Sequence, residues 1–275
     1  MINPSSDISV VLIVLNNVEN IDRCVQAILQ QDIRELIVID GGSTDGTLEK
    51  VGQYPAQLHT IGRTGLSHSR QYGVDKATAP YVALVDSDNI LDKDCLRVSK
   101  EYLDKTEFAG VAAAKKAFNS ENRYAQFQEW MNSQKVNKPG RKLVIGTPAL
   151  YRTDVLKRVR YDPNVRLGDD TDLCYRLSLQ GQYVGTGPGI CYEKMQDSYS
   201  DFKTKALLYG KADSEFFRNN PTRRHDIGTH ALRNYLLKMT YRAIVERKFR
   251  FLPLVFVYSL SRFWGLYSNL LKKKK

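Results

Sequence analysis

The chain has 275 residues, 42% hydrophobic and 26% charged, enough to bury one substantial α/β core but short for two full catalytic domains. Its four cysteines (Cys24, Cys95, Cys174, Cys191) are scattered, with no Cys-x-x-Cys pair and no histidine at ligand spacing, which argues against a disulfide framework or a zinc centre and fits a reducing compartment. Thirteen of the 41 Lys and Arg but only two of the 30 acids, Asp226 and Glu246, lie from Arg223 onward, so the whole formal charge of +11 sits in the last fifth of the chain and calls for an anionic partner.

The first seven residues carry no basic region, and the apolar run 8–15 is too short to span a bilayer, so the start reads as a buried strand and not as a secretory leader. Ile21, Cys24, Val25, Ile28 and Leu29 fall at helical spacing and predict an amphipathic helix ending near Gln31. A second strand at 36–39 meets the turn Asp40-Gly41-Gly42-Ser43, and Asp45 caps a short helix through Lys50. A strand at 58–61, a helix at 67–76 and a strand at 81–85 ending on Asp86 complete an alternating series. Four-residue apolar runs without alternation mark strands buried on both faces, and the alternation with helices predicts a parallel sheet covered on both sides. Ligands of such folds gather at the carboxyl ends of the strands, which here carry Asn16, Asp40 and Asp86.

Beyond Asp88 the pattern is less regular. A helix capped by Asp92 is predicted through Leu103, then a strand at 108–114 and a helix at 123–131. Residues 143–145 lead into Gly146-Thr147-Pro148, and Asp169-Asp170-Thr171-Asp172 opens a helix through Leu179 that Gly181 stops. The organisation expected is one catalytic domain over 1–222 and a basic helical region over 223–275.

Asp86-Ser87-Asp88 follows a strand directly. Two carboxylates two residues apart at a strand end can share a divalent cation with diphosphate oxygens, and Mg²⁺ or Mn²⁺ prefers such ligands. Taken alone, Asp-x-Asp is usually a solvated turn; its place after the fourth strand of the series raises it above that. Asp40 can accept hydrogen bonds from a base or a ribose, while Gly42 and Asp45 are sufficiently explained as turn and cap residues.

Taken in order, these segments resemble the inverting family 2 glycosyltransferases of the GT-A fold. The nucleotide-binding half is carried by the strand ending in Asn16, by Ile37-Val38-Ile39-Asp40-Gly41-Gly42-Ser43-Thr44-Asp45-Gly46-Thr47, by Ser69-Arg70-Gln71 with Gly73, and by Asp86-Ser87-Asp88. The acceptor half is carried by Gly146-Thr147-Pro148-Ala149-Leu150-Tyr151-Arg152 and Gly168-Asp169-Asp170-Thr171-Asp172. The resemblance covers residues 8–215 and implies a GT-A, Rossmann-like, mostly parallel sheet flanked by helices. It implies that Asn16 and Asp40 line the donor nucleotide, that Arg70 meets the donor phosphates or sugar, and that Asp86 serves ribose or metal with Asp88 as metal ligand. It makes Asp170 the general base for an acceptor hydroxyl, with Asp169, where the family usually has Glu, as a supporting acid. An alcohol is a poor nucleophile, so displacement with inversion needs a base opposite the leaving diphosphate. A helix N-terminus is expected to keep that carboxylate ionised and weakly basic. Two departures stand out: Leu15 replaces the aromatic usual before Asn16, and Glu193 stands near the position of a family histidine, read either as a substitute metal ligand or as a solvated side chain. His68 is read as a helix-surface residue.

Near the C-terminus, Ser261, Arg262, Gly265, Ser268, Asn269 and Lys272 recur every three or four residues, with Phe256, Leu260, Phe263, Trp264 and Leu271 among the apolar residues opposite. Arg262 interrupts the run before it reaches spanning length. The aromatic face and basic flanks suit a membrane interface, with 272–275 as a polybasic anchor worth roughly 1 kcal/mol per lysine on an anionic leaflet. Packing on the catalytic domain or on a partner subunit is the other reading. A nucleic-acid partner would explain the charge but not the apolar face.

The expected function is metal-dependent transfer of a hexose from a UDP- or GDP-sugar to a hydroxyl of a saccharide or lipid-linked saccharide, by a peripheral protein at the cytoplasmic face of a membrane. Asp170 argues against a polyprenyl phosphate as direct acceptor, since a phosphate is already nucleophilic. Two alternatives stay open: a silent nucleotide-sugar binding module, and a nucleotidyltransferase, for which no Gly-rich, Lys/Arg-bearing triphosphate loop is evident.

Overall fold

A computed structural model describes residues 2–223 and 232–271. They form two compact units, one drawn from Met1–Phe118 and Asn132–Glu193, the other from Asn119–Met131 and Lys194–Lys275.

The first unit opens with β1 (Ile8–Val14), α1 (Ile21–Leu29), β2 (Glu35–Asp40), α2 (Thr47–Val51), β3 (Gln57–Thr60), α3 (Leu66–Lys76) and β4 (Tyr81–Asp86). The four strands lie in the order β3-β2-β1-β4, all parallel, with Val11 of β1 between Ile37 and Leu84. Every residue of β2 is buried, as continuous apolar runs require of strands covered on both faces. The alternating half of the chain thus folds as expected, each element within two residues of its predicted ends.

The second half departs from a mostly parallel sheet. It adds β5 (Ile90–Leu91), α4 (Cys95–Asp104), β6 (Phe108–Ala117), α5 (Arg123–Lys135), β7 (Gly140–Lys142), β8 (Ala149–Arg152), α6 (Thr153–Val159), α7 (Asp169–Leu179) and β9 (Tyr183–Glu193). β8 sits antiparallel between β4 and β6, β9 runs parallel to β6, and β5 and β7 pair antiparallel with β9. β8 starts with Ala149 opposite Leu84, at the edge where β4 ends, and so must run back along it. That reversal sets Thr147 beside Asp86. The helix expected from Asp92 begins at Cys95 instead, and Asp92 supplies only a backbone carbonyl, 2.9 Å from the Cys95 N–H. The four cysteines are buried free thiols.

The second unit builds an aromatic core from Phe127 of α5, Phe202 of α8 (Tyr199–Asn219), Phe251, and Tyr258 of α10 (Leu252–Leu270), with Met239 and Ala243 of α9 (Lys238–Val245) packed into it. The charge imbalance begins near residue 222, but α8 lies along α10 and clusters with it, so the unit begins before the basic stretch. Among the described residues no helix is long and apolar enough to cross a membrane. Lys272–Lys275, expected as a polybasic anchor, lie outside the described residues.

Candidate active site

The carboxyl ends of β1 and β2 build a loop held by its own side chains. Asp40 is fully buried and accepts the Gly42 N–H at 2.8 Å and the Ser43 N–H at 3.1 Å. Asn16, in the left-handed region at φ 49°, accepts the Thr44 N–H at 2.8 Å and donates its own N–H to the Ser43 hydroxyl at 2.9 Å. Both residues expected at the nucleotide therefore shape the 41–44 turn. Asn17, which sequence reasoning missed, ties this loop to the next. Its Nδ2 donates to the Ser87 carbonyl at 2.8 Å and to the Ser87 hydroxyl at 2.9 Å.

Arg70 is the hub. It is 2% exposed, and its Nη1 donates to Asp169 at 2.6 Å and to Asp170 at 2.8 Å. Its Nη2 donates to both carboxylate oxygens of Asp86, at 3.2 and 3.1 Å. The Thr147 hydroxyl donates to the same Asp86 carboxylate. A Cβ on Gly146 would stand 3.2 Å from the Asp170 carboxylate, so the Gly146-Thr147 segment wraps both acids. Three residues expected in separate roles (Arg70, Asp86, Asp170) meet in one cluster, with Asp169 as its most buried acid.

Asp88 follows Asp86 by two residues. It is exposed, and its Oδ1 accepts from Nδ2 of the buried Asn89, whose Oδ1 in turn accepts the Asp86 N–H. Glu193 forms an ion pair with Lys115 at 2.8 Å. Lys115, Thr147 and Asn89 join the site although no role was read for them from sequence. Among the described residues no group of three or more His, Cys, Asp or Glu is arranged to hold an ion. His68 is exposed on α3, as expected.

The family model described as "Glycosyl transferase family 2" matches residues 9–164, more than half of the chain. The chain belongs to glycosyl transferase family 2. A curated relative, the glycosyltransferase GlyG of Streptococcus pneumoniae serotype 4, is 31% identical over 97 residues, covering 32% of this chain and 32% of that protein. The matched stretches span between 27% and 32% of the length of the first curated relatives. Among solved structures, the mannosyltransferase PcManGT of Pyrobaculum calidifontis, in complex with GDP-Man and Mn²⁺, aligns over 100% of this chain and 90% of its own, with a TM-score of 0.69 at 18% identity. TarS 1-349 of S. aureus in complex with UDP-GlcNAc aligns over 96% of this chain and 90% of its own, with a TM-score of 0.54 at 15% identity. Such likeness establishes the fold, the GT-A arrangement of a central sheet flanked by helices.

Within this family 2 site the charges are unequally matched. Burial opposes the charge on Arg70, but Asp170, Asp86 and Asp169 more than offset it. Burial would also raise Asp86, yet the Arg70 charge, the Thr147 hydroxyl and Lys115 hold its carboxyl below the usual range. Asp170 goes the other way. Burial, together with the charges of Asp169 and Asp86, pushes its carboxyl up to about 7 against the opposing pull of Arg70 and Lys115. The weakly basic carboxylate expected at a helix N-terminus is thereby corrected: burial first, and then the charges of Asp169 and Asp86, outweigh Arg70 and the favourable helix end.

Proposed function

We propose that the chain is an inverting hexosyltransferase. It moves a sugar from a UDP- or GDP-sugar to a hydroxyl of a saccharide or lipid-linked saccharide, in glycan synthesis at the cytoplasmic face of a membrane. The observation that carries this reading is the single guanidinium of Arg70, which joins Asp86 at the donor edge to the Asp169-Asp170 pair of the acceptor half. The choice of nucleotide draws on the structural neighbours, which hold GDP-Man with Mn²⁺ and UDP-GlcNAc.

In this reading Asp170 takes the proton of the acceptor hydroxyl as its oxygen bonds to the anomeric carbon and the bond to the diphosphate breaks on the opposite face. A carboxyl pushed up to about 7 is matched to that task near neutral pH. Arg70 holds Asp170 and Asp169 through one nitrogen, so it acts as a positioning residue more than as a phosphate ligand. Asn16 and Asp40 shape the loop on which the nucleotide rests.

The side chains at the donor edge fit Mg²⁺ or Mn²⁺. Their donors are carboxylate oxygens, and such ions are commonly held by one or two carboxylates plus substrate phosphates and not by an all-protein cage. Asp88, exposed beside Asp86, would hold the ion, with Asp86 shared between it and Arg70; Glu193, committed to Lys115, would join only by leaving that pair. When bound, the ion supplies charge stabilisation to the departing diphosphate.

The experiment is a screen of nucleotide sugars for Mn²⁺-dependent release of UDP or GDP, followed by Asp170→Asn. The variant should bind donor and lose transfer to acceptor; retained turnover would overturn the assignment. A silent binding module would release no nucleotide from any donor.

A further inference from the structure

Helix α10 seats Leu254, Val255, Tyr258 and Leu266 on the protein and still carries a second apolar face. Its polar and small residues face protein. Arg262, its one charged residue, forks onto Asp213 of α8 at 2.6 and 2.8 Å, and Asn269 Nδ2 donates to the Ser214 hydroxyl at 2.5 Å. Gly265 lies so close to α8 that a Cβ would stand 2.2 Å from the Leu207 carbonyl oxygen. Arg262, Gly265 and Asn269 of the polar stripe read from sequence thus lie on its docking face.

A second apolar face is left outside. Phe256, Leu260, Phe263, Trp264 and Leu271 are 49%, 64%, 39%, 69% and 81% exposed. At 3.6 residues per turn they fall on one helical face, and that face carries no charge. Soluble monomers rarely leave so contiguous an apolar surface in water. Its flank is basic: Arg247, Lys248 and Arg250 are exposed just before α10, and four lysines follow it in sequence. From 232 to 271 the one acid, Glu246, is taken up by Arg242 at 2.7 Å and by the Trp130 indole N–H at 2.6 Å.

An apolar, aromatic face with a basic rim and no available acid is complementary to an anionic bilayer. A second copy docked on it would set basic rim against basic rim, which costs affinity. We propose that this outward face of α10 seats the chain on anionic lipid, lying in the interface plane without crossing it. The proposal rests on the reading of the chain as a transferase working at a membrane surface, and it names the surface and the lipid charge involved.

The test is flotation of the full chain with vesicles of phosphatidylcholine plus phosphatidylglycerol, and with phosphatidylcholine alone. Binding should favour the anionic vesicles and weaken with salt. The double variant Leu260→Ser, Trp264→Ser should bind at least about tenfold more weakly, because two exposed apolar side chains no longer enter the interface. Its release of nucleotide from donor in solution should match the parent, which also controls for folding. Equal flotation of parent and variant overturns the proposal. So does concentration-dependent self-association that the same substitutions abolish, with no flotation of the parent. If the parent floats but no donor is turned over, the transferase reading fails while this one stands; turnover without flotation gives the reverse.

Discussion

Arg70 donates to Asp170 at 2.8 Å through a side chain that is 2% exposed, and the other arm of its guanidinium is spent on Asp86. The acid proposed as base is therefore held by the same group that holds the donor-side acid. A guanidinium presents donors in a fixed fork, whereas an ammonium is a point charge that cannot span three carboxylates. Arg70→Met should cost about 3–5 kcal/mol of stability, the usual loss when one partner of a buried ion cluster is removed. Arg70→Lys should keep part of that stability and still lose turnover at least about 100-fold, since misplacing a reacting group by an ångström has that effect. Urea unfolding and donor turnover measure the two. A methionine variant within about 1 kcal/mol of the parent would show that the cluster is not held by Arg70.

The raised carboxyl of Asp170 gives a pH dependence with a definite sign. Its ordinary value is 3.8 and its folded value about 7. Between these the folded chain holds a proton that the unfolded chain has released, so stability falls as pH rises from about 4 to about 7 and is flat above. Asp170→Asn removes the effect. The variant should gain on the parent across that window by up to about 4 kcal/mol, three pH units at 1.4 kcal/mol each. Asp86, held low, acts with the opposite sign, and its contribution is lost only as pH falls below 3.8. Transfer should rise with pH, reach half its maximum near 7 and level off above that, because only the ionised base accepts a proton. Urea unfolding at a series of pH values, on parent and variant without nucleotide or metal, separates the two acids; parallel curves would refute the raised Asp170.

Asp86 and Asp88 flank Ser87 in the motif but differ in exposure: Asp86 is partly buried and shared by Arg70 and Thr147, while Asp88 is exposed and accepts from Asn89. Asp88→Ala should therefore weaken Mn²⁺-dependent nucleotide binding at least about tenfold, the lower end of what loss of even an outer-shell partner costs. Binding without the ion should change little. Calorimetry with and without Mn²⁺ decides, and an unchanged metal-dependent affinity would remove Asp88 from the metal role.

The parallel half of the sheet was legible because each of its strands is a short apolar run ending in a polar residue, and this pattern is local. Strand β9 was not: Gly185, Gly187, Pro188 and Gly189 break any strand-like run, and it forms because β6 and β7 pair with it. Asp40, Asp86 and Asp170 were legible as strand-end and helix-start acids. That one arginine would gather Asp86, Asp169 and Asp170 was not, because residues 16 to 100 positions apart meet only through the sheet order. Asn17 and Lys115 carried no signal of their own for the same reason, and Thr147 was visible only as part of the Gly146-Thr147-Pro148 segment, without its partner. The polar stripe of α10 was visible, but whether it faced water or α8 is a tertiary fact.

That stripe gives a prediction in which local propensity and packing disagree. Gly210 lies inside α8, where alanine is intrinsically better by about 1 kcal/mol. A Cβ there would stand 2.0 Å from the Arg262 carbonyl oxygen and 2.8 Å from the Leu266 amide nitrogen, both backbone atoms of α10. Neither can rotate away, so the helices must separate, and Gly265 meets Leu207 just as closely from the other side. Overpacking of this kind usually costs about 1–3 kcal/mol, so Gly210→Ala should destabilise despite its propensity gain. The separation should also stretch the fork between Arg262 and Asp213 and leave a buried charge poorly matched, which adds to the loss. Urea unfolding of Gly210→Ala against the parent reads the sign directly. A more stable variant would mean that α10 is not held against α8 at this crossing, and its outward apolar face would then lose its structural basis.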